Sequence, residues 1–288
     1  MVKCNLLEEN DISEVERLVS ENQNSSLLST KKCIDAICRA FAYKPLYFVA
    51  KKENTIVDWF PSVIVSNFLM GKKIVSLPMD ASYGGTLSKD KEVRLKLIDT
   101  IKKYAEQENI NHIKIRTLNE FVELEKSGFE KKSSLVASSL ILDNLASVKK
   151  KLSKGHRAAI TYSAKNGLKI SSESSFEDVM TLYNILSKNF RDMGTPVFGF
   201  KYFSELHRLF HKAKNFVLYK GTFEGEMVAG VIVLNYGNVS IYKYGAALKE
   251  FMHLRPYNAL IWRAIEDALR DGKSLFDMGT SSITDTGL

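Results

Sequence analysis

Val239-Ser240-Ile241-Tyr242-Lys243-Tyr244-Gly245-Ala246 is a run of β-branched, aromatic and small residues that reads as a strand. The stretch Pro256 to Asp271 that follows has the period of a helix, with Pro in its first turn and Gly272 beyond its end. Leu275 to Asp277 then returns to strand character. The same succession occurs once before. Lys73 to Leu77 reads as a strand, Tyr83-Gly84 follows, and Val93, Leu97, Ile98, Ile101 and Tyr104 recur at helical spacing within Lys89 to Glu108. Asn111 to Arg116 is again a strand. Gly84 and Gly245 lie 161 residues apart, and Ile113 and Phe276 lie 163 apart. Offsets so close predict a duplicated α/β fold with little residue identity between its halves.

Outward from this repeat, each half fills with similar elements. In the first, Ser13 and Glu16 have capping-box spacing around Val15, Leu18 and Val19, and Lys31 to Ala42 reads as a second helix. Leu46 to Ala50 and Thr55 to Phe68 are strands, Phe121 to Lys126 is a short helix, and Ser133 to Leu142 is a strand. The second half opens on a basic helical segment, Val148 to Asn166. Its apolar or small stripe is Val148, Leu152, Gly155, Ala159 and Tyr162, while Lys150, Lys154, Arg157 and Lys165 lie on another face. A strand at Leu168 to Ser171, helices at Phe176 to Phe190 and Tyr202 to Lys212, and strands at Phe216 to Phe223 and Val228 to Asn235 complete it.

The 288 residues include 41 Lys and Arg against 33 Asp and Glu, a formal charge of +8, and 45% are apolar. This is the composition of a folded globular chain. The longest apolar run, Met227 to Tyr236, is about half of the roughly 20 residues that span a bilayer, and no apolar stretch follows Lys3. No transmembrane segment or secretory signal is expected, and a cytoplasmic location follows. Cys4, Cys33 and Cys38 lack the paired spacing of a zinc site and cannot all pair with one another, so neither zinc nor disulfides are expected. His207 and His211, four apart, read as part of a surface helix rather than a metal pair. The positive balance is compatible with RNA, a sugar nucleotide or an anionic membrane surface.

No G-x-S-x-G, G-x-x-x-x-G-K-[ST], H-E-x-x-H or strand-following G-x-G-x-x-G motif is present, which disfavours hydrolase, P-loop and dinucleotide chemistry. Lys150, Lys154, Arg157 and Lys165 serve either as a solvated face or as an anion site in which Arg157 offers a bidentate fork. Arg191-Asp192-Met193-Gly194-Thr195-Pro196 ends a helix on an Arg-Asp pair, which either terminates the helix or presents Arg191 to an anionic substrate. Asp277-Met278-Gly279-Thr280-Ser281-Ser282 places a carboxylate at a strand end, where open α/β sheets bind ligands. Asp277 there either takes a proton from an attacking amine or ties down the next turn.

Ser76-Leu77-Pro78 with Ser82-Tyr83-Gly84-Gly85, then Lys154-x-x-Arg157 with Ala164-Lys165-Asn166-Gly167-Leu168, then Arg191 through Val197, then Phe276-Asp277-Met278-Gly279, occur in this order over residues 43–282. Together they resemble the FemAB-related proteins, within them the branch associated with exopolysaccharide and exosortase loci. The resemblance implies two tandem GNAT-like (N-acyltransferase) domains, residues 1–145 and 146–288, each a mixed, mostly antiparallel sheet flanked by helices. It also implies a transferase that moves an aminoacyl or acyl group from an activated donor to an amine of a cell-envelope or polysaccharide precursor. By the same resemblance, Arg191 meets the acceptor's anionic group, Lys154 and Arg157 support that site, Ser82, Tyr83, Gly84 and Gly85 line a cleft between domains, and Asp192 is placed with them among the substrate-binding residues. Tyr244 joins the substrate-binding set, and Asp277 stands as the catalytic carboxylate. The implied donor substrate is acyl-CoA or aminoacyl-tRNA, with no fixed cofactor and no metal. The implied partners are an anionic sugar-nucleotide or lipid-linked precursor and tRNA, and the positive charge is compatible with peripheral membrane contact.

Two departures from the family pattern stand out. The Arg/Gln-x-x-Gly-x-Gly/Ala loop that binds the CoA pyrophosphate in ordinary GNAT enzymes is missing, since Tyr244-Gly245 is followed by Ala246-Ala247-Leu248-Lys249. The sequence also ends at Leu288, before the aromatic-Lys segment implicated in donor binding, so the second domain is expected to be truncated. A CoA-dependent N-acetyltransferase and a non-catalytic protein that binds an anionic glycan or precursor are the alternatives.

Overall fold

The computed structural model describes residues 1–23, 25–68, 71–77, 84–117, 121–132 and 135–282. The first half contains β1 (Val2–Leu6), α1 (Ile12–Glu21), α2 (Lys31–Phe41), β2 (Lys44–Lys52), β3 (Thr55–Asn67), β4 (Gly71–Ser76), α3 (Lys91–Gln107), β5 (His112–Lys114) and α4 (Val122–Lys126). The five strands form one sheet in sequence order, antiparallel except for the last pair, β4 and β5. Residues Leu46 to Ala50 are all buried because both faces of this sheet are covered. Leu46, Phe48, Phe60, Ile64 and Ile74 pack on Leu97, Ile98 and Ile101 of α3. On the opposite face Tyr47 and Trp59 have ring centroids 5.2 Å apart, Tyr47 Oη donates to Asp35 (2.5 Å), and Trp59 Nε1 donates to the Ser29 carbonyl (2.9 Å). Burying side chains of this size stabilises the layer by roughly 2–3 kcal/mol each. Strand β1 was not expected from the sequence. It is an edge strand with Val2 as its only buried residue, so its alternation is weak.

The second half contains β6 (Leu135–Ile141), α5 (Leu145–Lys151), α6 (Lys154–Lys165), β7 (Lys169–Ser171), α7 (Phe176–Asp192), α8 (Phe200–Phe210), β8 (Phe216–Phe223), β9 (Glu226–Tyr236), β10 (Val239–Ala247), α9 (Pro256–Arg270) and β11 (Leu275–Ser282). A 3-10 turn over Lys249–Leu254 joins β10 to α9. The strand order is β7-β8-β9-β10-β11-β6, with β7 through β10 antiparallel and β10 parallel to β11. Leu260, Trp262 and Ile265 of α9 share a core with Val231, Val233 and Phe276. On the other face α7 and α8 lie against β8, β9 and β10.

By their contacts the described residues divide into two compact units, Met1–Ala137 with residues 280–282, and Ser138–Gly279. Strand, two helices, three antiparallel strands, helix and a strand parallel to the last one is the order in both halves. The final parallel pairs carry the repeat seen in the sequence, Ile74 opposite Ile113 and Ser240 opposite Phe276. The glycines do not. Gly245 lies within β10 opposite Val231, whereas Gly84 follows the end of β4 by eight residues. The basic segment is two helices instead of one, because Ser153 Oγ accepts the His156 amide (3.2 Å) and starts α6 afresh. Strand β11 also runs on past Asp277 to Ser282.

Candidate active site

Strand β10 has nine residues, yet β11 accompanies it for three rungs, Val239 with Leu275, Ser240 with Phe276 and Ile241 with Asp277. Beyond Ile241, among the described residues, β10 is paired with β9 alone as far as Ala247 opposite Ala229. The two parallel strands therefore part, and the edge of β10 faces a wedge. Two local features accompany the parting. The register with β9 shifts between Tyr242 and Tyr244, a bulge that breaks the alternation of side chains. Tyr242 and Gly245 share the face of Tyr257, so a Cβ on Gly245 would stand 2.6 Å from Tyr242 Oη and 3.0 Å from the Tyr257 ring. Tyr244 turns to the other face and meets Phe203 edge-on at 4.9 Å, with Phe198 and Tyr202 nearby.

The second feature is Asp277. It is 2% exposed, and its Oδ1 accepts the Gly279 amide at 2.7 Å. Gly279 has φ of +86°, so a turn is set in β11 directly after the last shared rung. Burial pushes the Asp277 carboxyl up, and the Gly279 amide opposes that shift.

Helix α7 begins at a reciprocal cap between Ser175 and Asp178 and ends against the tail of β10. Asn189 Nδ2 donates to the Ala247 carbonyl (3.0 Å), and Asp192 pairs with Lys249 (2.8 Å). Lys249 holds the Asp192 carboxyl below its ordinary range. The ion pair at this helix end is thus Asp192 with Lys249, not the Arg191-Asp192 pair suggested by the sequence. Arg191 is exposed and sits roughly 200° around the helix from Asn189. Among the described residues its guanidinium has no hydrogen-bond or ion-pair partner.

The remaining sequence candidates sit on other elements. Arg157 donates through Nη1 to the Leu152 and Lys149 carbonyls, so its fork is engaged at the C-terminal end of α5. Lys154 is exposed at the start of α6. Gly84 and Gly85 belong to the first unit, where the Gly84 amide donates to the Arg116 carbonyl (2.8 Å) and Ser76 Oγ accepts the Arg116 amide (2.9 Å). The first unit therefore bridges the end of its own parallel pair with its own chain. A Cβ on Gly84 would fall 2.4 Å from Leu77 Cδ1, which accounts for glycine there. Ser82 and Tyr83 lie outside the described residues. Asn189 and Lys249, which dock α7 onto β10, were missed in the sequence. The Asp277-x-Gly279 spacing is a local turn signal that was available.

Between β10 and α9, where a pyrophosphate-binding loop would run, the 3-10 turn is packed instead. Leu254 is buried with Leu168, Val228 and Ala259, backed by Leu248 and Phe251, and its carbonyl accepts Ser163 Oγ (2.7 Å). This turn contains no glycine, so it lacks the amide cradle that a diphosphate takes. The residues present do not fit the CoA diphosphate.

Residues 146–284 match the family model of an acetyltransferase (GNAT) domain. No curated protein matches the chain in sequence. Among solved structures, FemX superposes with a TM-score of 0.81 at 14% identity, covering 99% of this chain and 90% of FemX. L-PGS from Bacillus licheniformis gives 0.59 at 14% identity, with 99% and 80% covered. A tandem GNAT protein from the clavulanic acid biosynthesis pathway gives 0.58 at 7% identity, with 99% and 91% covered. At these identities the likeness is one of fold. The fold is shared with FemX and consists of two GNAT-like domains in tandem.

Proposed function

We propose that this chain, whose residues 146–284 match the GNAT acetyltransferase domain and whose fold is shared with FemX, moves an aminoacyl or acyl group from an activated donor to an amine of a cell-envelope or polysaccharide precursor. The wedge between β10 and β11 carries this reading, because an open strand edge offers backbone groups to an extended acyl donor much as an added strand would. The amine nitrogen attacks the donor carbonyl, the C–N bond forms as the ester C–O bond breaks, and the nitrogen's proton ends on the leaving oxygen. Such an ester is already activated. What the protein must supply is position and polarisation of the carbonyl, for which fixed backbone dipoles suffice.

In this assignment Arg191 meets an anionic group of the acceptor, and Asp277 acts as a positioning residue that fixes the path of β11. The packed 3-10 turn favours an aminoacyl ester, such as aminoacyl-tRNA, over a CoA thioester. Calorimetric titration with acetyl-CoA tests the donor class. The folded protein should give no saturable heat in the micromolar range, about −8 kcal/mol. Saturable micromolar binding would make it a CoA-dependent acyltransferase and overturn the donor assignment.

A further inference from the structure

Between Asn144 and Ser172 the sequence holds six Lys and one Arg and no Asp or Glu, so seven of the protein's eight net positive charges fall in 29 residues. The other 259 residues are almost neutral. This segment is α5, α6 and β7. In α6, Lys154 and Lys165 are three turns apart on one line, and Ser163, buried against the Leu254 carbonyl, lies on the opposite side. In α5, Lys150 lies opposite the buried Val148. Lys149, Lys150, Lys154, Lys165 and Lys169 are exposed and have no ion-pair partner among the described residues, while Lys151 pairs with Asp143 (3.5 Å). The acids of the neighbouring α9 do not neutralise them. Asp267 is held by Arg263 and Arg270, and Glu266 lies near Asp143 and Leu145 at the other end of α5.

We propose that this α5–α6 face docks the protein on an anionic lipid surface. Four to eight basic residues on one exposed face is the pattern that anionic headgroups attract, and the attraction falls within a Debye length. The chemistry is that of ammonium groups, because the one arginine is turned to the α5 carbonyls. Tyr162, exposed about one turn before Lys165 on α6, adds the amphipathic ring that an interfacial contact uses. Nucleic-acid recognition would call instead for free arginine forks and several stacking rings.

Sedimentation with vesicles tests the proposal. The protein should pellet with phosphatidylcholine vesicles containing about one-third phosphatidylglycerol, and not with phosphatidylcholine alone, at about 0.05 M salt, and should be released at about 0.5 M. K149Q/K150Q/K165Q should lower the partition coefficient at least tenfold with an unchanged melting temperature, and K149R/K150R/K165R should retain binding. No pelleting with the anionic vesicles, or undiminished pelleting of the glutamine variant, would overturn the proposal. So would a gel shift with bulk tRNA that the glutamine variant loses while vesicles bind neither protein, which would make this an RNA face.

Discussion

Asp277 has one oxygen committed to the Gly279 amide, and this decides between its possible roles. Asparagine keeps an oxygen for that amide, whereas alanine removes it. If the residue positions β11, Asp277→Asn should hold kcat/KM within about tenfold of wild type while Asp277→Ala falls well below it. A hundredfold loss in the asparagine variant would instead mark the carboxylate as the base. Arg191→Ala should raise the acceptor KM about tenfold, equivalent to about 1.4 kcal/mol, and leave the melting temperature unchanged, since the guanidinium has no intramolecular partner among the described residues. Gly245→Ala should cost about 1–3 kcal/mol in denaturant unfolding, because its Cβ has no room between Tyr242 and Tyr257. At this scale the sequence was legible where the signal is local. Asp277 two residues ahead of Gly279 announces its turn, but Asn189 finds Ala247 58 residues away, and no spacing encodes that.

Asp58 links a strand to a loop in the first unit. Fully buried in β3, its Oδ1 accepts the amides of Trp59 (2.9 Å), Leu87 (2.7 Å) and Ser88 (3.0 Å), pinning the residues that lead into α3. Burial pushes its carboxyl up to about 6, against the pull of these amides and of Arg94. A carboxyl raised above its unfolded value of about 3.9 binds its proton more tightly in the folded state, so its contribution is full at low pH and is lost as pH rises through about 6. Unfolding free energies measured from pH 7.5 down to pH 5 should therefore move in favour of the wild type relative to Asp58→Asn, by about 1.4 kcal/mol. A difference that stays flat over that range would contradict the assignment. Elements whose core face is long, such as α3 and α9, are plain in sequence because several turns repeat the same pattern. The break between α5 and α6 is not, since the apolar or small stripe runs on from Leu152 to Gly155 and only the cap at Ser153 interrupts it. The bulge at Tyr242 to Tyr244 escapes for a similar reason, because both tyrosines suit a strand whichever face they take.

Duplication is the organising fact of the whole molecule. The two copies differ where function would separate them. The first bridges the end of its parallel pair through Gly84, Arg116 and Ser76, and the second, among the described residues, leaves β10 paired with β9 alone beyond Ile241. The repeat was readable from the offset of the last strands and misread at the glycines, because a Tyr-Gly pair can end a loop as well as sit in a strand. The most direct test of transfer from the second copy uses hydroxylamine as the amine, so that no natural acceptor is needed. Purified protein is mixed with aminoacyl-tRNA or acetyl-CoA, and hydroxamate formation is followed against a protein-free control. Acceleration with aminoacyl-tRNA that is lost in Asp277→Ala, and none with acetyl-CoA, is the predicted result; acceleration with acetyl-CoA alone, or with neither donor, would contradict it.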